Sequence, residues 1–279
     1  MKKSRKKSDI IITILLVLVL VIGLSLLIYP SFSNMWNQFH QTHAIEGYAE
    51  QVSVLDQDAY DRIWQAAIDY NKSLMGREQF RTLPEEEYAV YEKLLLVGSG
   101  QVMGYVEIPE IGVELPIYHG TDEAVLQVAI GHLEWTSLPT GGESTHCVIS
   151  GHRGLPSARL FTDLDKIAEG DLFMLHILDE TLTYQVDQIR IVEPTDVQEL
   201  LIQDGKDLCT LLTCTPYGIN SHRLLVRGHR VANQAQSVDV RVTADAVLVE
   251  KLVVAPFVLM PMLLVMLLWL MFGSKKRKK

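Results

Sequence analysis

The chain has 279 residues, 48% of them hydrophobic, and a formal net charge of −9. Ten of its 25 Lys and Arg residues lie in two clusters at the chain ends, so residues 30–251 carry 15 basic against 33 acidic residues. A nucleic-acid-binding protein needs a basic surface, and this composition argues against that class. Three cysteines, an odd number, leave at least one free or bonded between chains and argue against a disulfide framework.

Two uncharged, apolar stretches predict membrane-spanning helices. They are residues 10–29 and 252–272, and each can cross a hydrocarbon core of about 30 Å as a helix. Pro256 and Pro261 would kink the second helix without preventing a span. A cleaved signal peptide is the alternative for the first stretch. Signal peptides have a shorter apolar core and a small-residue cleavage site, which residues 29–32 do not provide.

Basic residues flank both stretches on the side of the chain ends. They lie within residues 1–9 and 273–279. Because Lys and Arg near membrane ends stay in the cytoplasm, both tails are predicted to be cytoplasmic. Residues 30–251 are then extracellular, and the chain is predicted to cross the membrane twice.

Residues 30–100 are predicted to form an extracellular helical segment. Apolar side chains recur there at steps of three and four, which indicates amphipathic helices. They are Ile45, Tyr48, Val52 and Leu55, then Tyr60, Ile63, Ala67, Tyr70 and Leu74. A third, short helix is expected to begin near Thr82, which has capping-box spacing with Glu85, and to end before Gly98.

From residue 101 the pattern changes to short strands separated by turn residues. The predicted strands are 102–108, 113–118, 146–150, 172–178, 182–192, 210–214 and 224–231. Many short strands with few helices are typical of a β-barrel or sandwich. Residues 101–232 are therefore predicted to form one mainly β domain, and residues 233–251 a linker to the second membrane helix.

Three polar residues lie where predicted strands begin or end, a common position for functional side chains. His152 follows one strand, Cys214 ends another and Arg223 precedes the last. A neighbouring cation favours the thiolate form of a cysteine, a histidine can protonate a leaving amine, and an arginine can stabilise an oxyanion. These groups are sufficient for acyl transfer.

Each of the three also has a plain structural interpretation. A lone cysteine in an apolar strand is more often a small core residue, His152 could be an ordinary loop residue, and Arg223 a solvated strand residue. Sequence spacing by itself does not show that they meet. The chain has neither a Gly-x-Ser-x-Gly elbow nor a His-Glu-x-x-His metal motif.

The motifs around Cys214 resemble those of a known family. Residues 210–214, Thr-Leu-Leu-Thr-Cys, look like the Thr-Leu-x-Thr-Cys signature of the sortases. Longer stretches are similar to class C, the sortases that polymerise pilins. These are GYVEIP at 104–109, LPIYHGT at 115–121, GHLE at 131–134, SGHRGLPS at 150–157 and CTPYGINSHRLLVRG at 214–228. The resemblance covers residues 102–230 and includes the two-anchor layout.

This resemblance implies a fold and an activity. The fold would be a sortase-type β-barrel of about eight strands, preceded by helices and flanked by the two membrane helices. Cys214 would attack the Thr–Gly bond of a Leu-Pro-x-Thr-Gly-like sorting signal and hold the pilin as a thioester, which a pilin lysine would resolve into an isopeptide bond. His152 would act as general acid and base, and Arg223 would position substrate or steady the oxyanion.

Two other functions stay open on the sequence alone. A sortase that anchors surface proteins would use a peptidoglycan precursor as the acceptor. A non-enzymatic membrane scaffold on a sortase fold would need no catalytic set, and the presence of Cys214, His152 and Arg223 argues against it. No cofactor is implied, and no ligand set for the calcium site known in some other sortases is identifiable.

One stretch departs from the class C pattern. Class C sortases usually carry a lid with an Asp-Pro-aromatic anchor, which covers the cysteine. The corresponding residues 72–87 contain no Asp-Pro, and their only proline is Pro84. Phe80 is the candidate for plugging the site. The sequence therefore predicts a reduced or absent lid and a more open groove.

Several further residues in these motifs are interpreted as structural. The scaffold and packing residues are His119, His132, His222 and Trp135. Cys147 and Cys209 each lie five residues upstream of a candidate catalytic residue. They could be neighbours on paired strands, and two buried thiols are expected in preference to a disulfide.

Overall fold

The computed structural model describes residues 2–76, 83–98 and 100–233, with side chains from residue 13 onward. Its described residues divide into two units between Met35 and Trp36. Several predictions fall outside the described residues: Phe80, nearly all of the linker 233–251, the membrane helix 252–272 and the tail 273–279.

The first helix, α1, spans Lys2–Ser53 without interruption. Among the described residues, its stretch Thr13–Ser53 is the one segment long and apolar enough to cross a membrane. The sequence predicts a membrane helix that ends at residue 29 and a separate amphipathic helix around Ile45. The structure joins them, with Pro30 inside the helix, because a proline bends a helix without obliging it to end.

The C-terminal part of α1 packs on the barrel domain. The Tyr48 hydroxyl donates to the carbonyl of Met103 at 3.0 Å and accepts from the backbone N–H of Leu178 at 2.6 Å. Asn37 and Gln41 donate from their side-chain amides to carbonyls in two barrel loops. These polar contacts position α1 on the barrel.

The second helix, α2 (Gln57–Leu74), begins after an N-cap aspartate. The Asp56 carboxylate accepts from the backbone N–H of Ala59 at 2.7 Å, which satisfies one of the free donors of the first turn. Near the end of α2, the buried Asn71 donates to the carbonyl of Leu138 and accepts from its N–H, at 3.0 and 2.7 Å. This pair of bonds fastens α2 to a barrel loop.

The third helix, α3 (Glu85–Tyr91), begins later than the sequence predicts. Its N-cap is Pro84 and has no side-chain capping bond, so the predicted start near Thr82 is wrong. The buried Tyr91 ends the helix, and its hydroxyl lies 2.9 Å from Nδ1 of His132 and accepts from the N–H of Gly120. Burial of Tyr91 against the barrel, and not a capping box, positions α3.

Eight strands close into a barrel in the order β1-β2-β3-β4-β7-β8-β6-β5. The strands are β1 Val102–Ile108, β2 Val113–His119, β3 Ile130–His132, β4 Thr145–Ser150, β5 Leu172–Ile177, β6 Glu180–Val192, β7 Asp207–Thr215 and β8 His222–Arg230. The pairs β2–β3 and β4–β7 are parallel, and the others are antiparallel. Closure removes the unpaired edges that an open sheet would expose.

Seven of these strands were predicted from the sequence, with ends that differ by up to three residues. The eighth, β3, has only three residues, all buried, which is too short to show an alternating pattern. A four-residue helix, α4 (Glu123–Leu126), precedes it and was also not predicted. The predicted eight-stranded barrel preceded by helices is confirmed for the described part of the chain.

Gly131 in β3 permits the close approach of β2 and the turn after it. A Cβ atom at this position would lie 2.0 Å from the carbonyl oxygen of Gly120. We expect Gly131→Ala to lower the free energy of unfolding by about 1–3 kcal/mol, which corresponds to about 2–4 °C in Tm per kcal/mol for a domain of this size. Thermal unfolding of the full chain in detergent measures this loss.

Gly47→Ala is the matched control for this substitution. Gly47 lies in α1, and a Cβ added there would have no atom within 4 Å. Alanine also has the higher helix propensity. We expect this variant to keep or raise Tm. An equal loss of Tm in both variants would contradict the assigned packing of β3.

Candidate active site

Cys214 lies one residue before the end of β7, between two partner strands. β4 runs parallel to β7 on one side, and β8 runs antiparallel on the other. Cys214 is a free, half-buried cysteine, whereas Cys147 and Cys209 are free and buried. Of the three thiols in the chain, Cys214 is therefore the one that a substrate can reach.

Arg223 is the register partner of Cys214 across the β7–β8 ladder. Directly opposed residues project to the same face of a sheet, with Cβ atoms about 4.5–5.5 Å apart. In this structure Nη1 of Arg223 donates to the carbonyls of Asn220 and His222, at 3.3 and 3.1 Å. The register thus places a guanidinium group beside the thiol-bearing strand end.

His152 follows the end of β4, next to the same stretch of β7. The last register pair of β4 is Ser150 with Leu212. Beyond it, the N–H of Gly151 donates to the carbonyl of Leu212 at 3.0 Å, and the Thr213 hydroxyl donates to the carbonyl of Gly151 at 2.7 Å. Continuing this parallel register by two residues brings His152 level with Cys214.

The His152 side chain is 27% exposed, and its Nε2 atom lies 3.8 Å from a carboxylate oxygen of Glu123 in α4. Nε2 is shielded from solvent and has no hydrogen-bond partner among the described residues. A Cβ on the preceding Gly151 would lie 2.7 Å from the Phe161 ring and 2.8 Å from Ile130. Only glycine fits there, which accounts for the Ser-Gly-His motif.

The other histidines named from the sequence lie in varied settings. His132 is buried. Its Nε2 donates to the carbonyl of Ser137 at 2.8 Å, and its Nδ1 accepts a hydrogen bond from the Tyr91 hydroxyl. Nε2 of His119 donates to the carbonyl of Leu94. His222 lies 3.4 Å from Glu193 at the surface. The hydrogen bonds of the first two are those of scaffold residues.

Cys147 and Cys209 are register partners on the parallel strands β4 and β7. Both are buried and free, as the sequence analysis expects. Burial raises the pKa of the Cys209 thiol well above its usual range, and the adjacent Cys147 adds to this effect. Cys209 is therefore a protonated thiol, which is unsuited to nucleophilic attack.

The strand pair that carries the site is also joined by a buried histidine. Nδ1 of His146 in β4 donates to the carbonyl of Leu201 at 3.0 Å, and its Nε2 accepts from the Thr210 hydroxyl of β7 at 2.7 Å. This arrangement requires a neutral imidazole. Burial lowers the pKa of His146 from 6.5 to about 4.

A folded-state pKa below the unfolded one makes stability depend on pH. Above about pH 6.5 His146 is neutral in both states; between pH 6.5 and 4 only the unfolded chain gains its proton. We expect the contribution of His146 to lower the free energy of unfolding by up to about 3 kcal/mol across this interval. Thermal unfolding from pH 8 to pH 4 measures the loss.

The control compares two histidine variants. In His146→Gln the fall of Tm with decreasing pH should be shallower than in the wild type, because His119, whose pKa burial also lowers to about 4, still contributes. His43→Gln removes an exposed histidine and should leave the slope unchanged. Equal slopes in all three chains would contradict the assignment.

Two neighbours of the site were not singled out from the sequence as functional. Glu123 lies on α4, which was itself not predicted. Arg153 follows His152 and contacts Asp165 and Thr215. No local pattern marks Arg153, because Asp165 and Thr215 lie 12 and 62 residues away along the chain.

Comparison with known proteins agrees with this fold. The family model of the Sortase domain matches residues 106–231. The crystal structure of sortase C1 from Streptococcus agalactiae is 52% identical with a TM-score of 0.67, and the match covers 69% of this chain and 100% of that one. The crystal structure of Sortase C from Streptococcus pneumoniae is 50% identical with a TM-score of 0.61, and the match covers 68% of this chain and 97% of that one.

Among curated proteins, Sortase D of Bacillus subtilis is 32% identical over 136 residues, 48% of this chain. The match spans 66% of that relative, just under two thirds of its length. The streptococcal matches, which cover nearly all of each solved chain, show that this chain belongs to the sortase family, whose members are cysteine transpeptidases. Its likeness to the solved streptococcal enzymes identifies it, within that family, as a class C sortase.

Proposed function

We propose that this chain is a membrane-anchored transpeptidase that joins pilin subunits through isopeptide bonds. The observation that carries the proposal is the convergence of Cys214, His152 and Arg223 at one end of three adjoining strands, β4, β7 and β8. The structure of the Streptococcus pneumoniae relative is described as informative on pilin substrate specificity, which favours pilins as the substrate class here.

In the proposed first step, the Cys214 thiolate attacks the threonine carbonyl of a Leu-Pro-x-Thr-Gly-like signal. The Thr–Gly bond breaks, and the His152 imidazolium donates a proton to the departing glycine amine. Arg223 is proposed to donate to the oxyanion or to the substrate backbone. A guanidinium has five N–H donors, and the loop carbonyls of Asn220 and His222 accept from Nη1, so the donors on Nη2 and Nε are the ones proposed to reach the substrate.

In the second step, a pilin lysine attacks the thioester. Its amine, once deprotonated, forms the new amide bond while the C–S bond breaks and restores the Cys214 thiolate. Neutral His152 takes up the proton that the amine loses. The acceptor is thus an uncharged amine, and any group that delivers one could compete with the pilin lysine.

The test incubates the full chain in detergent with two pilin proteins, one ending in Leu-Pro-x-Thr-Gly and one offering lysines. We expect a covalent product that survives denaturing electrophoresis, with mass spectrometry locating a threonine–lysine isopeptide bond. A peptidoglycan precursor offered in parallel tests the anchoring alternative. Exclusive transfer to the precursor would overturn the pilus assignment, and no cleavage by the intact chain would favour the non-enzymatic scaffold.

The proposed topology has two membrane anchors, at residues 10–29 and 252–272, with cytoplasmic tails at 1–9 and 273–279. The helical segment 30–100, the catalytic barrel 101–232 and the linker 233–251 would then lie outside the cell. The apolar helix Thr13–Ser53 supports the first anchor, and the basic clusters support the orientation. Labelling of a cysteine introduced into each tail, in intact cells and with a membrane-impermeant reagent, tests it: cytoplasmic tails should stay unlabelled.

The prediction of a reduced lid concerns residues 72–87, of which 77–82 lie outside the described residues. If Phe80 does not cover the site, Phe80→Ala should leave the rate of Cys214 alkylation unchanged within about twofold, because a plug that is absent cannot be removed. Stopped-flow alkylation with iodoacetamide measures this rate. A large acceleration would overturn the prediction of an open groove.

A further inference from the structure

Arg153 is a nearly enclosed arginine beside the candidate active site. It directly follows His152, and its side chain is only 9% exposed. Burying a cation costs several kcal/mol unless a counter-charge and hydrogen bonds compensate. The partners of Arg153 therefore decide what this position contributes.

Its contacts reach two other elements. Nη2 pairs with the Asp165 carboxylate at 2.5 Å, and Nη1 donates to the Thr215 hydroxyl at 3.3 Å. The guanidinium carbon lies 6.0 Å from the centroid of the Tyr217 ring, within the range of a cation–π contact. Nε is shielded and has no hydrogen-bond partner among the described residues. Two of the three contacts fall just after Cys214 in the chain.

A second contact from the His152 loop reaches the same ring. Gly154 has φ +78°, and a Cβ there would lie 3.0 Å from Cε2 of Tyr217. On the other side of the site, the bonds of Gly151 with Leu212 and Thr213 join the same two segments. Contacts immediately before and immediately after the candidate pair thus join the chain around His152 to the chain around Cys214.

We infer that Arg153, paired with Asp165, is a positioning residue that holds His152 and Cys214 in register through Thr215 and Tyr217. The inference rests on the proposed function for its catalytic consequence. A lysine could keep the ion pair, but its compact ammonium cannot also bond Thr215 and lie over the Tyr217 ring, because only a planar guanidinium donates in separate directions while stacking.

The test uses the full chain in detergent and two readouts. The first is kcat and KM for a Leu-Pro-x-Thr-Gly peptide. The second is the rate of Cys214 alkylation from pH 5 to pH 9, which needs no substrate. We expect Arg153→Met to lower kcat about 10- to 100-fold with KM little changed, since small displacements of catalytic groups cost this much, and to shift the alkylation profile. Arg153→Lys should restore part of both.

The matched control is Arg159→Met, which removes a half-exposed arginine that pairs with Asp163, a carboxylate that Lys166 also holds. It should leave kcat and the alkylation profile unchanged. If Arg153→Met unfolds, Thr215→Val and Asp165→Asn carry the test, because each removes one contact. The inference would be overturned if folded Arg153→Met, or folded Thr215→Val and Asp165→Asn in its place, kept the wild-type kcat and the wild-type pH profile of Cys214 alkylation. If the wild type cleaves no peptide while the Arg153→Met profile shifts, the positioning role stands and the proposed function fails.

Discussion

We expect the Cys214→Ala chain to lose peptide cleavage by at least about 10⁴-fold and to form no covalent adduct with the sorting signal. The proposed thioester requires a sulfur at the end of β7, and loss of the nucleophile removes the covalent route altogether. Cys214 is half-buried, so its replacement by a smaller side chain should preserve the fold. Mass spectrometry of the intact chain after incubation with peptide measures the adduct.

Cys209→Ala is the matched control, five residues earlier on the same strand. Because side chains alternate along a strand, Cys209 projects to the opposite face from Cys214 and is buried. We expect this variant to keep the adduct and most of the activity, with some loss of Tm from the core. An adduct that persists in Cys214→Ala would show that another residue is the nucleophile.

The second large effect is expected at His152. His152→Gln should lower kcat by about 10²- to 10⁴-fold, the usual contribution of a positioned general acid or base. The leaving glycine amine would depart without a proton donor, and the acceptor lysine would lose its base. Because acylation and its resolution both need a proton transfer, single-turnover cleavage and transfer to lysine should slow together.

Glu123→Gln separates the role of His152 from that of its neighbouring carboxylate. Glu123 lies 3.8 Å from Nε2 of His152, but its side chain is 72% exposed, and exposed ion pairs contribute little. We expect kcat to change by less than about threefold. A loss in Glu123→Gln as large as that in His152→Gln would mean that the carboxylate takes a direct part in the proton transfer.

Local sequence patterns predict much of this structure. The helix α2 follows from apolar spacing, and seven strands follow from short apolar segments between turn residues. The candidate residues Cys214, His152 and Arg223 were located at strand ends by the same patterns. These features depend on a few neighbouring residues, so they can be read from one sequence.

Other features depend on partners far away in the chain. The three-residue β3 is a strand only because β2 and β4 flank it. The helix α3 begins at Glu85 after Pro84, later than the cap spacing predicts, and its buried Tyr91 bonds to barrel residues some 30 to 40 positions away. The composition changes from apolar to mixed near Pro30, which suggests the end of a helix. The structure shows that α1 continues through this position.

By itself, the sequence located the candidate catalytic groups, a mainly β domain of short strands and the apolar stretches that predict membrane anchors. The tertiary structure decided which groups meet. Cys214 faces Arg223 because of the β7–β8 register, and the parallel register of β4 with β7 brings His152 level with Cys214. The Arg153 contacts with Thr215 and Tyr217 arise in the same way. The β4–β7 register depends on hydrogen bonds between residues some 60 positions apart, and local propensities do not encode such pairings.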